Sequence, residues 1–293
     1  MRRSLLGSLS VLTALAACGP NAAPTFSSER ITVVTRGTGP DLILIPGLTS
    51  DRAVWDSVAA QLESRYRLHL IQVNGFAGLP PKANADGPVS APVAEEIARY
   101  IGALDLRKPA VVGHSMGGTI AMMLAARHPD QVGRLMVVDM PPFPGELFAG
   151  PGITVERMRP IADSMRKGML AESKDSFLTQ MGGMISGMTN REALRPVLLG
   201  MVKESDQKVV ADAFYELLIT DLRPELSNIT APFTVLYVIP SNTPAAQYET
   251  ALQQSFANAK QARLVKVENS FHFIQLDQPG LLVAQLDTLM TRR

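Results

Sequence analysis

From about residue 31 the chain alternates short apolar runs with stretches whose apolar positions recur every three or four residues. That alternation is the pattern of strands feeding helices around a mostly parallel sheet. Strands are expected at residues 31–35, 42–45, 68–73, 109–112, 135–138, 233–239 and 264–267, and helices at 51–64, 93–104, 116–127 and 279–290. Between about residues 143 and 222 no strand pattern occurs, only helix-like stretches. The expected fold class is therefore α/β: a mostly parallel sheet flanked by helices, with an inserted helical cap. The chain divides into a first core part at 29–142, the cap at 143–222 and a second core part at 223–293.

The cap holds Met158, Met165, Met169, Met181, Met184, Met188 and Met201, half of the chain's 14 methionines. Unbranched, polarizable side chains at helical spacing suit either ordinary core filling or an adaptable apolar cavity, and periodicity does not separate the two. Gly182, Gly183 and Gly187 are expected to break the cap helices, as turns or as hinges of a mobile lid.

Charge narrows the function. Lys and Arg total 28 against 27 Asp and Glu, so no basic field is available to hold nucleic acid by its phosphates, and a small-molecule substrate is expected. One cysteine excludes a disulfide framework, and four histidines without an HExxH pattern give no reason to expect a metal. Residues 1–18 form a separate unit: Arg2 and Arg3 precede an apolar stretch, 5–17, that is shorter than the roughly 20 residues needed to span a bilayer. This reads as a signal peptide. Leu15-Ala16-Ala17-Cys18 resembles the lipobox of bacterial lipoproteins, which implies cleavage before Cys18 and lipid on its thiol. Simple secretion after Ala14-Leu15-Ala16 is the alternative, and residues 19–28 read as a flexible tether. The expected location is the periplasm or cell envelope of a bacterium, with a membrane contact through Cys18.

The chemistry centres on Gly113-His114-Ser115-Met116-Gly117, between the strand at 109–112 and the helix at 116–127. A GxSxG sequence in a strand, turn and helix setting is what a nucleophile elbow requires, where a tight turn exposes the serine hydroxyl. That hydroxyl needs a base to take its proton and donors for the oxyanion. The expected donors are the N–H of Met116, at the start of the helix, and the N–H of Leu48 in the loop Ile45-Pro46-Gly47-Leu48.

At these residues the chain resembles the α/β-hydrolase family. Ile45-Pro46-Gly47 looks like the family's oxyanion loop, with proline where histidine is usual. Asn74-Gly75-Phe76-Ala77-Gly78 is similar to its Asp-x-x-Gly-x-Gly turn, and Ser270-Phe271-His272-Phe273 before Asp277-Gln278-Pro279 resembles its catalytic histidine loop. The resemblance implies Ser115 as nucleophile and His272 as base, without a cofactor. His114 is expected to support the elbow, and Asp277 to cap the final helix.

The acid departs from the family. Most relatives carry an aspartate after the strand at 233–239, where this chain has Pro240-Ser241-Asn242-Thr243-Pro244. Asp139, at the end of the preceding strand, is the first candidate, and Asn242 is the alternative as a neutral partner for the imidazole. The expected activity is hydrolysis of an ester or related acyl bond in a small apolar substrate. The alternatives are a hydrolase fold that binds without turnover, and a cofactor-free lyase or haloperoxidase on the same scaffold.

Overall fold

A computed structural model describes residues 26–241 and 243–292. The expected signal peptide, with Cys18, and Asn242 lie outside the described residues. Strands β1 (Ile31–Arg36), β2 (Asp41–Ile45), β3 (Arg67–Val73), β4 (Ala110–His114), β5 (Arg134–Val138), β6 (Phe233–Tyr237) and β7 (Ala262–Lys266) form one sheet in the order β1-β3-β2-β4-β5-β6-β7. β1 runs antiparallel to β3, and every other pairing is parallel. The interior strands β4 and β6 are buried at every residue, which is why they read as largely apolar runs rather than as alternating ones.

Outside the cap the helices are α1 (Asp56–Leu62), α2 (Ser90–Ala103) and α3 (Met116–Arg127). The cap follows β5 and contains α4 (Gly145–Ala149), α5 (Val155–Ala171), α6 (Lys174–Ser186), α7 (Arg195–Glu204) and α8 (Gln207–Ile219). The chain then returns through β6 to α9 (Ala245–Ser255), β7, α10 (Ile274–Asp277) and α11 (Pro279–Thr291). The expected helix at 51–64 begins instead as a 3-10 turn, Arg52–Trp55, which the Asp51 carboxylate caps by accepting from the Ala53 N–H at 2.7 Å.

Gly182 and Gly183 do not break the cap. Both lie inside α6, and only Gly187 ends a helix. Each mid-helix glycine costs about 1 kcal/mol relative to alanine. Burial of Phe177 and Ile185 on the inner face of α6, together with the Ser173 side-chain cap on the Ser176 N–H, offsets that cost.

One carboxylate ties the cap to the core. The residue preceding α2, Val89, offers no capping side chain, so the first N–H groups of the helix need another acceptor. Glu216, from the cap helix α8, provides it: its Oε2 accepts from the N–H groups of Val89 and Ser90 at 2.6 Å, and its Oε1 accepts from Ala91 at 2.9 Å. A negative group is favourable at this end of a helix. It also explains why α2 starts three residues before the sequence expectation. Glu216→Ala should lower the free energy of unfolding by about 2–3 kcal/mol, since it strands buried donors. Urea denaturation checks this, and a loss below about 0.5 kcal/mol would mean that the donors find other partners.

Candidate active site

The turn between β4 and α3 is held by backbone crowding. A Cβ on Gly113 would lie 2.0 Å from the Gly117 carbonyl oxygen, and one on Gly117 would lie 2.3 Å from that of Ile45. No side chain fits at either position, so strand and helix approach more closely than other residues permit. Ser115 takes the positive-φ position between them, φ 53° and ψ −125°, a backbone conformation that costs on the order of 1–3 kcal/mol for a residue other than glycine. Its N–H donates to the Val138 carbonyl at 3.0 Å, and its carbonyl accepts from Gly118 at 2.7 Å. Serine at a helix N-terminus commonly spends its hydroxyl on capping. Ser115 makes no such bond, and the residue lines a cavity.

Leu48 follows β2 and Met116 opens α3. Neither N–H donates to another acceptor among the described residues. The Leu48 loop closes on itself through Ser50 N–H to the Gly47 carbonyl, 3.2 Å, and lies beside the elbow. A Cβ on Gly47 would sit 3.0 Å from that of Ser115.

The histidine loop brings His272 to the same cavity. Its Nδ1 lies 2.7 Å from Asp139 Oδ2 across 133 residues of sequence. The other carboxylate oxygen accepts from the Val238 N–H at 3.0 Å, and the Asp139 N–H donates to the Leu236 carbonyl at 2.8 Å. Asp139 also has a positive φ, 55°. Thus β5 ends in a turn like that of β4, and β6 holds its carboxylate toward the imidazole. Among the described hydrogen bonds none joins His272 to Ser115, although the two residues line one cavity.

Two neighbours act differently from the sequence expectation. His114 supports the histidine loop as much as the elbow: its ring lies 3.0 Å, through Nε2, from the His272 carbonyl oxygen. Complete burial, reinforced by the adjacent His272 ring, holds its pKa well below the ordinary 6.5. The ring is therefore neutral, and its Nε2–H donates. Asp277 does not cap the final helix, whose N-cap is Gln278. Its carboxylate instead accepts from Thr189 Oγ1 at 2.6 Å and from the Phe271 N–H at 2.8 Å. The Phe273 N–H donates to the Met188 carbonyl at 2.9 Å. The cap segment after α6 is thereby clamped to the loop that carries His272. Asp277 was visible in sequence only as a residue before a proline-initiated helix, and nothing in its spacing pointed to Thr189.

Above these groups lies a cavity of about 550 Å³, within the usual range for small-molecule sites. Six of the seven cap methionines line it, Met165, Met169, Met181, Met184, Met188 and Met201. Met158 packs instead in a small separate core with Phe143, Ala162 and Leu218.

The mostly parallel sheet flanked by helices agrees with what residues 42–286 match: the chain belongs to the alpha/beta hydrolase family. It is 30% identical over 205 residues to a pimeloyl-[acyl-carrier protein] methyl ester esterase of Edwardsiella ictaluri, covering 69% of this chain and 76% of that protein. A protein of the same name from Aeromonas salmonicida is 30% identical over 215 residues, covering 71% and 79%. The solved esterase of Exiguobacterium antarcticum superposes with a TM-score of 0.73 at 21% identity, over 89% of this chain and 96% of that one, and so shares the fold.

The buried neutral His114 sets an expectation for pH. Unfolded, this imidazole takes a proton below about pH 6.5, whereas the folded protein resists it, so stability is lost as pH falls through that value, by at most about 1.4 kcal/mol per pH unit. Between pH 7.5 and 5.0 the urea midpoint should fall further for the wild type than for His114→Gln. Parallel curves would remove His114 as the cause.

Proposed function

We propose that the protein hydrolyses carboxylic esters with a small apolar acyl arm. Ser115 Oγ attacks the ester carbonyl while His272 takes its proton through Nε2, and the N–H groups of Leu48 and Met116 receive the developing oxyanion. Collapse of the tetrahedral intermediate expels the alcohol, which receives the proton from His272. Water, deprotonated by the same imidazole, then attacks the acyl-serine and releases the acid. Asp139 keeps the imidazole in the tautomer whose Nδ1 carries hydrogen and stabilises the imidazolium. The single observation that carries this reading is the 2.7 Å contact between His272 Nδ1 and Asp139, beside a strained serine beneath a methionine-lined cavity. The printed names of the Edwardsiella and Aeromonas relatives support an ester as substrate.

Hydrolysis of p-nitrophenyl acetate tests the assignment. Ser115→Ala should abolish turnover above background, and Asp139→Asn should lower kcat by about 10⁴, as the loss of the orienting carboxylate does in the serine-protease triad. Asn242→Ala should stay near the wild-type rate. An unimpaired Asp139→Asn variant would transfer the orienting role elsewhere. Across methyl esters of increasing acyl length, kcat/KM should rise about fourfold per methylene, the equivalent of about 0.8 kcal/mol. A flat series would exclude the cavity as the acyl site.

The leader carries a second part of the proposal: the enzyme is exported and held at the cell envelope by lipid on Cys18, with residues 19–28 as tether. Each buried acyl methylene adds about 0.8 kcal/mol to such an anchor. Cys18→Ser should move the protein from the membrane fraction to the soluble one, and retention at the membrane would count against lipidation.

A further inference from the structure

The cap wall of the cavity carries an unbalanced negative charge. Among the described lining residues Glu172 is the one carboxylate, the only other acidic or basic side chains are the imidazoles of His114 and His272, and no lysine or arginine is present. Glu172 is the residue that ends α5, its N–H donating to the Gly168 carbonyl at 3.1 Å. Gly168 and Met169, in the last turn of that helix, line the cavity too. The carboxylate accepts from Gln180 Nε2 at 2.6 Å, a neutral donor, and no ion pair neutralises it among the described residues. The C-terminal end of a helix adds partial negative charge of the same sign, on the order of half an elementary charge. An anionic chain end entering here loses its water and meets a carboxylate with no cation to offset either cost.

We propose that the cavity selects acyl chains by the charge at their far end, taking uncharged chains, tolerating cationic ones and rejecting those that end in a carboxylate, with Glu172 as the residue that sets the order. This rests on the esterase reading above. Three methyl esters of matched length separate the terms, because the alcohol part is minimal and the acyl arm must fill the cavity: methyl octanoate, methyl 8-aminooctanoate and monomethyl suberate. Both charged chains pay for desolvation, but only the ammonium is attracted by Glu172. The expected order of kcat/KM at pH 7.5 is octanoate, then aminooctanoate, then suberate, with the two charged esters about tenfold or more apart. Glu172→Gln should shrink that tenfold gap to about threefold or less, and Glu172→Lys should invert it. Suberate turned over as fast as aminooctanoate by the wild type, or a gap unchanged in Glu172→Gln, overturns the inference while leaving esterase activity on p-nitrophenyl acetate intact. Failure of the wild type to hydrolyse p-nitrophenyl acetate overturns the esterase reading and this inference together.

Discussion

The structure depends on the closeness with which α3 follows β4. Gly113 and Gly117 leave no volume between the turn and the backbone of β2 and α3, and the residue between them is forced to a positive φ. A serine in that position is lifted off the sheet with its hydroxyl not spent on capping, while the first N–H of the helix has no acceptor among the described residues. Strain and an unsatisfied donor are both costs to folding. They persist because parallel strands on either side, with Ile45 opposite Gly113 and Val138 opposite His114, fix the turn from two directions.

The elbow was legible in the sequence because its signals are local: an apolar run, glycines at fixed spacing and a helix whose bounds, Met116–Arg127, match the expectation. Asp139 was legible only as a candidate. Its contact with His272 spans 133 residues and exists because β5 and β6 are paired, so that the Val238 N–H can fix the carboxylate. Glu216 and Asp277 gave less warning still. Each satisfies backbone donors of a segment distant in the chain, and no periodicity encodes such a meeting. The stretch at 143–222 was expected to be helical without bounds for its helices, and Gly182 and Gly183 misled, because the inner face of α6 outweighs two weak positions.

These two carboxylates make the cap part of the site rather than a cover over it. Glu216 caps the start of α2, and Asp277 joins the segment after α6 to the loop of His272. Apolar packing of the cap methionines is adaptable, whereas the hydrogen bonds at its margins are directional. The cap therefore combines a compliant lining with fixed attachment points, and the backbone of the loop that carries His272 is braced on one side by His114 and on the other by the cap.

Ser115 and Asp139 both occupy the first position beyond a registered strand pair, His114 opposite Val138, and both turn with positive φ. Their spacing is therefore set by the ladder between β4 and β5 and not by the length of any loop. The carboxylate that meets His272 therefore does not depend on the segment that follows β6. That segment becomes a place on the scaffold where residues can be inserted, deleted or exchanged, by evolution or by design, while the distance between serine and carboxylate stays the same.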